Sequence, residues 1–120
     1  MGVTVLVVDD ESDLRYLLRR IFEKIGYVVL DAANGAAALE LARASSPDLV
    51  VTDVMMPVMD GLELMRCLRA GAATVDIPIL AISGDWQLAS DADAVLAKPY
   101  DRDELIRVTE NLIRNGRGER

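Results

Sequence analysis

The sequence lacks histidine entirely and contains a single cysteine, Cys67, among its 120 residues. Without histidine the chain has neither the commonest imidazole metal ligand nor the usual general base, so any bound metal must be held by oxygen atoms. One cysteine excludes an internal disulfide bond. Lysine is also scarce, because Lys24 and Lys98 are the only lysines among 13 basic residues.

The sequence also lacks any apolar run close to the roughly 18 residues that a membrane helix needs. It begins without the basic segment of a signal peptide, so we expect a cytoplasmic protein that does not enter a membrane. The net charge of −7 argues against direct nucleic-acid binding, which needs basic residues along the phosphate backbone. With 52% apolar residues, we expect residues 1–120 to form a single domain, with a frayed tail over residues 115–120.

Residues 49–52 (LVVT) form an aliphatic segment between a Pro-Asp pair and a Met-Met-Pro turn. This composition predicts a short strand that is buried on both faces and therefore covered by helices. Asp53 follows without a break, and open α/β sheets place their ligands at the carboxyl ends of the strands. We therefore expect Asp53 to lie at a site, although it could instead serve only to accept hydrogen bonds from the backbone of the turn.

Strands and helices are predicted to alternate along the chain. The predicted strands are residues 3–8, 27–30, 49–52, 79–82 and 94–97. The predicted helices start near Leu14, Ala36, Asp60 and Asp101, and the first, second and third end near Gly26, Ala44 and Gly71. Residues 84–93 have room for at most about two helical turns. This alternation predicts an α/β fold with a doubly wound parallel sheet and right-handed crossovers.

Five polar side chains are predicted to follow the strands at one edge of this sheet: Asp9 and Asp10, Asp53, Ser83 and Lys98. Taken singly, each has an ordinary structural explanation as a helix cap, a turn residue or a solvated lysine. Taken together, three carboxylates in one crevice would repel each other and raise one another's pKa values unless a cation lies among them. The combination therefore favours a cation site.

These residues occur in a characteristic combination: the Asp9-Asp10 pair, Asp53 in the segment DVMMPVMDG, Ser83, and Lys98 followed by Pro99 and Tyr100. The combination resembles the receiver domain of bacterial two-component response regulators, and the resemblance covers residues 3–113. It implies a flavodoxin-like fold with five parallel strands in the order 2-1-3-4-5 and five helices. The fourth helix is expected to be shortened, because only 15 positions separate Ser83 from Lys98.

The resemblance implies a function in a phosphorelay. Asp53 would accept a phosphoryl group from a histidine kinase or a histidine phosphotransfer protein, and the phosphoprotein would then bind a downstream protein of unknown identity. Apart from catalysing this acceptance and a slow autodephosphorylation, the chain would not be an enzyme. Ser83 and Lys98 would bind the phosphoryl oxygens.

The resemblance also implies a Mg²⁺ site. Its ligands would be Asp9, Asp10, Asp53 and the backbone carbonyl of Met55, a set of hard oxygen donors that suits this ion. By the same resemblance, the Lys98–Pro99 peptide bond is expected to be cis.

Two departures from the family pattern affect how phosphorylation would be sensed. Val95 stands where receivers usually carry an aromatic residue that rotates on phosphorylation, and residues 84–93 are too few for a full helix. We therefore expect this segment, with Trp86 and Leu88, to act as the switch. Asp85 adds a negative charge near the pocket, or is simply an exposed loop residue.

Three alternatives come from other functional classes. A flavodoxin-like flavin binder would need hydroxyls and amides after the first strand, where this chain has Asp9, Asp10 and Glu11. A phosphatase that forms an aspartyl-phosphate would need a second acid close to Asp53 as a general acid, but the residues that follow Asp53 are Val54, Met55 and Met56. A degenerate receiver that acts as a non-phosphorylated interaction module or as a phosphate sink is the remaining alternative.

Overall fold

The structure, a computed structural model, describes residues 2–56, 58–84 and 91–116. Within these residues the strands are β1 (Thr4–Val8), β2 (Val28–Ala32), β3 (Leu49–Asp53), β4 (Ile79–Ser83) and β5 (Ala94–Ala97). The helices are α1 (Ser12–Lys24), α2 (Gly35–Ser45), α3 (Gly61–Ala70) and α4 (Arg102–Asn115). None of these four helices has the length and apolar composition required to cross a lipid bilayer.

The five strands form one parallel sheet in the order β2-β1-β3-β4-β5, as predicted. All five residues of β3 are buried, and so are all five of β4, which agrees with their continuous apolar sequences. β5 lies at one edge of the sheet and is shorter and less buried. β2, at the other edge, continues two residues beyond its predicted end, because Asp31 and Ala32 pair with the end of β1.

Each face of the sheet packs against a pair of helices. On one face Leu6 and Val50 pack with buried residues of α2 and α3. On the other face Val5 and Val51 pack with buried residues of α1 and α4. Because side chains alternate across a strand, the central strands supply both cores at once. The doubly wound architecture predicted from the sequence is confirmed.

Three of the helices begin at side chains that cap their first turn. The side chains of Asn34, Asp60 and Asp101 each accept a hydrogen bond from the backbone N–H three residues later. α1 ends at Lys24, just before Gly26, whose φ of +100° is a conformation that glycine adopts readily. These helix boundaries agree with the predicted ones to within two residues.

The connection between β4 and β5 lies partly outside the described residues. Residues 91–93 are not helical, and the predicted switch residues Trp86 and Leu88, together with Asp85, lie in the stretch 85–90 that the structure does not describe. The Lys98–Pro99 peptide bond that follows β5 is cis, as predicted.

Candidate active site

The predicted site residues converge at the carboxyl ends of the strands. Asp53 is the last residue of β3 and Ser83 is the last residue of β4, and both are buried. Asp9 follows β1, and its N–H donates a hydrogen bond to the Ala32 carbonyl at the end of β2. The backbone N–H of Lys98 donates to the Ser83 carbonyl at 3.2 Å. The parallel register of the sheet therefore brings four strand ends to one place.

Three carboxylates meet at this edge. Asp9, Asp10 and Asp53 each offer an oxygen atom, and these oxygens all lie within 4.8 Å of one another. Asp9 and Asp53 are only 5% and 8% exposed, whereas Asp10 is exposed to solvent. Burial raises the pKa of Asp9 above its ordinary value, and the charge on Asp53 raises it further, although a hydrogen bond from the Glu11 N–H opposes the shift. A cation among these groups would relieve the repulsion.

This donor set fits Mg²⁺. The three carboxylates supply only hard oxygen donors, which Mg²⁺ prefers. Met55 lies two residues after Asp53, and because its thioether is not a ligand that Mg²⁺ accepts, only its backbone carbonyl is suited to a ligand role.

One positively charged side chain faces the acidic cluster. The Lys98 ammonium nitrogen lies 3.5 Å from Oδ1 of Asp53, and the Lys98 side chain is partly exposed. The same Oδ1 accepts a hydrogen bond from the Val54 N–H at 2.8 Å. Asp53 therefore accepts a hydrogen bond from the backbone of its own turn, which is the purely structural role considered above. It also lies beside the Lys98 ammonium and within a cluster of acids, which that role does not explain.

Sequence reasoning missed two residues that hold this site in place. The Arg15 guanidinium on α1 donates a hydrogen bond to the Asp9 carbonyl at 2.8 Å. Gly61 begins α3, and a Cβ added to it would overlap the Asp53 carbonyl oxygen. The contact between Arg15 and Asp9 could not be predicted from their spacing of six positions, because it depends on the direction in which α1 leaves the loop after β1. The Asp60-Gly61 pair at a helix start was the available signal for a close approach.

Two residues near the cis Lys98–Pro99 bond, one on each side of it, also bear on the site. Burial raises the pKa of the Tyr100 hydroxyl, and the charges on Asp9 and Asp53 add to that shift. Val95, at the position usual for the aromatic residue of receivers, is half-buried against the core on the α2 and α3 side.

Comparisons with known proteins agree with this geometry. A family model described as the response regulator receiver domain matches residues 5–110. Sporulation initiation phosphotransferase F of Bacillus subtilis is 33% identical over 110 residues, which cover 88% of this chain and 89% of that protein. Response regulator MprA of Mycobacterium ulcerans is 39% identical over 121 residues, which cover 95% of this chain. The chain spans 51% of the length of MprA.

Solved structures show the same fold. The receiver domain of a sensor histidine kinase from Pseudomonas aeruginosa has a TM-score of 0.87 at 28% identity, covering 94% of this chain and 98% of that chain. That structure holds a magnesium ion coordinated in its active-site cleft. Chemotaxis protein CheY4 of Vibrio cholerae has a TM-score of 0.86 at 29% identity, covering 92% of this chain and 98% of that chain.

Proposed function

Because the chain belongs to the response regulator receiver domain family of two-component systems, we propose that Asp53 is its phosphoacceptor. Receiver domains are signalling domains that interact with histidine kinases or phosphotransfer proteins. In this proposal an oxygen of the Asp53 carboxylate attacks the phosphorus atom of a phosphohistidine on such a partner, and the phosphorus–nitrogen bond of the donor breaks. The proposal also places the chain in the cytoplasm and treats residues 1–120 as one receiver domain.

The observation that supports this role most directly is the position of Asp53 between the other two acids and Lys98. Phosphoryl transfer requires an aligned nucleophile and positive charge around the equatorial oxygens, and little other chemistry from the protein. Asp53 is buried at a strand end, with one oxygen held by the Val54 N–H. Burial and this hydrogen bond restrict the side chain, so that it is held ready for attack.

Mg²⁺ would be held by Asp9, Asp10, Asp53 and the backbone carbonyl of Met55. When bound, it supplies the positive charge that offsets the repulsion between the acids and the incoming phosphoryl oxygens. The exposed Asp10 is the ligand that an ion from solvent would reach first, whereas the buried Asp9 is restrained at its carboxylate by the Glu11 N–H.

Lys98 and Ser83 would bind the transferred group. The Lys98 ammonium is a point charge that already faces Asp53, and it would move from the carboxylate to a phosphoryl oxygen on phosphorylation. Ser83 would donate its hydroxyl hydrogen to a second phosphoryl oxygen. These roles make the chain a self-catalysing phosphoacceptor that dephosphorylates slowly, and the phosphorylated form would bind a downstream protein. That residues 84–93 act as the switch stays a prediction.

A small-molecule phosphodonor tests the proposal without a partner protein. We expect the intact mass of the wild-type chain to increase by one phosphoryl group when Mg²⁺ is present and to stay unchanged when Mg²⁺ is chelated. Lys98→Ala should be modified much more slowly, because it removes the cation beside Asp53. Arg102→Ala is a matched control, since it removes an exposed positive charge five residues after the end of β5. Equal modification with and without Mg²⁺ would contradict the proposal.

A further inference from the structure

A buried ion pair lies at the end of the sheet opposite the acidic cluster. Arg69, at the end of α3, pairs with Asp93, just before β5, at 2.5 Å. Their side chains are only 13% and 6% exposed. The same guanidinium donates hydrogen bonds to the carbonyls of Val75, Ile77 and Asp91 at 3.1, 2.8 and 3.3 Å. Arg69 thus joins the α3–β4 connection to the residues that lead into β5.

Asp93 in turn is fastened to the first residue of β4. Its carboxylate accepts a hydrogen bond from the Ile79 N–H at 2.8 Å, and its own N–H donates to the Ile79 carbonyl at 2.9 Å. The next residue, Ala94, begins the parallel ladder opposite Leu80. The contacts between Asp93 and Ile79 therefore lie directly at the start of the pairing between β4 and β5.

The register of β5 determines where Lys98 lies. β5 is an edge strand of four residues that pairs only with β4 among the described strands. The alternation of side chains along β5 does not by itself exclude a slip of two residues, because the alternation has a period of two. A slip of two residues would keep the same face buried and would move Lys98 along the strand by about 6.6 Å, which is twice the rise per residue. That distance exceeds the 3.5 Å between Lys98 and Asp53.

We infer that the Arg69–Asp93 pair is a positioning device for the proposed phosphoryl-binding lysine. The pair fixes the start of β5 against β4, and the parallel ladder carries that register to Ser83 and Lys98 at the other end. A buried charge pair enforces one arrangement, because any slip that separates the two side chains leaves both charges unpaired. This inference rests on the proposed function, since it assumes that Lys98 contacts the phosphoryl group.

Binding of Mg²⁺ and binding of beryllofluoride, measured separately, distinguish a role in positioning Lys98 from a general effect on stability. The proposed Mg²⁺ ligands lie on β3 and in the loops that follow β1 and β3, whereas beryllofluoride, a mimic of the phosphoryl group on Asp53, would also require Lys98. Asp93→Ala removes the side-chain contacts with the Arg69 guanidinium and with the Ile79 N–H. Asp93→Asn keeps the size of the side chain while removing its charge. Arg66→Met is the matched control, because Arg66 lies on the same helix in an exposed pair with Glu63 at 3.6 Å.

We expect Asp93→Asn to weaken beryllofluoride binding at saturating Mg²⁺ by about 10-fold or more. This is the effect of losing one charged hydrogen bond, here the one between Lys98 and beryllofluoride. Asp93→Ala should weaken it further, and if that variant does not fold, Asp93→Asn decides alone. Mg²⁺ binding, measured by calorimetry without beryllofluoride, should keep its midpoint. In Asp93→Asn, amide exchange at residues 94–98 should become faster than in the wild type, and this increase should be larger than any increase in β1 and β3. Arg66→Met should change none of these signals.

The outcomes separate the inference from the proposed function. If Lys98→Ala loses beryllofluoride binding while Asp93→Asn binds it as tightly as the wild type, the positioning role is wrong and the proposed function stands. If Mg²⁺ and beryllofluoride binding fall together in Asp93→Asn, the pair is a structural contact only. If Lys98→Ala binds beryllofluoride as tightly as the wild type, the role of Lys98 in the proposed function fails first.

Discussion

Gly61→Ala tests how closely α3 must approach the strand that carries Asp53. Gly61 is the first residue of α3, and its N–H donates to the Val54 carbonyl at 2.8 Å. A Cβ at this position would overlap the Asp53 carbonyl oxygen and would lie 2.8 Å from the Val54 Cα. These neighbours are backbone atoms, which cannot rotate away as a flexible side chain can. The substitution must therefore push the start of α3 away from β3.

The expected loss of stability follows from this overlap. Overpacking a tight contact typically costs about 1–3 kcal/mol, whereas alanine in a helix interior is favoured over glycine by about 1 kcal/mol, and by less at a first turn. The backbone contact leaves little room for relaxation, so the cost lies in the upper part of its range, and we expect a net loss of about 1–2 kcal/mol once the gain in helix propensity is subtracted. In a domain of this size that loss lowers the melting temperature by about 3–5 °C per kcal/mol.

Thermal unfolding and a Mg²⁺ titration measure both consequences. Besides the lower melting temperature, Gly61→Ala should bind Mg²⁺ more weakly, because the Asp53 peptide group must move with the loop. Gly2→Ala is the control, since its Cβ would meet the nearest atom, Cγ2 of Val28, at an ordinary 3.5 Å. A Gly61→Ala variant that melts and binds Mg²⁺ like the wild type would refute the claim that this close approach positions Asp53.

Three other predictions concern four further substitutions, and each has an expected direction. Thr109→Val should raise the free energy of unfolding by about 1 kcal/mol in a denaturant titration, because the buried Thr109 hydroxyl has no hydrogen-bond partner within the described residues. Asp9→Asn should raise the melting temperature of the Mg²⁺-free protein at pH 7, since the raised pKa of Asp9 means that its ionised form destabilises the fold. That advantage should shrink as the pH falls towards 3.8, the ordinary pKa of this group, and a constant advantage would contradict the assignment. Asp10→Ala should weaken Mg²⁺ binding far more than Ser83→Ala, because only the first removes a proposed carboxylate ligand, and equal titration midpoints would contradict this.

Much of the fold is predictable because local sequence and tertiary structure agree. The uninterrupted apolar segment before Asp53 has few alternatives to a central strand, and Asp60 and Asp101 mark helix starts that form the predicted caps. Once the strands are known to be parallel, the convergence of Asp53 and Lys98 follows from topology alone. The large separation of these residues in the sequence does not matter, because the strands bring them together.

Other features depend on contacts that no local pattern encodes. Arg69 and Asp93 are 24 positions apart, and each is an ordinary charged residue in the sequence, so their burial appears only when α3 and β5 are packed on the sheet. The Asp60-Gly61 pair is a local signal for a close approach, but which strand Gly61 approaches depends on the path of the intervening loop. At the start of α1, Asp9 accepts a hydrogen bond from Glu11 two residues on, outside the helix, and the N-cap residue is Glu11 itself, without a side-chain cap. Asp9 is therefore available to the acidic cluster.

Peptide mapping of the phosphorylated chain tests the central claim most directly. After incubation with a small phosphodonor and Mg²⁺, the digest should contain one modified peptide, and fragmentation should place the phosphoryl group on Asp53. The Asp53→Asn variant should remain unmodified under the same conditions. A phosphoryl group located on Asp9 or Asp10, or modification of Asp53→Asn to the extent of the wild type, would contradict the assignment of Asp53 as the phosphoacceptor.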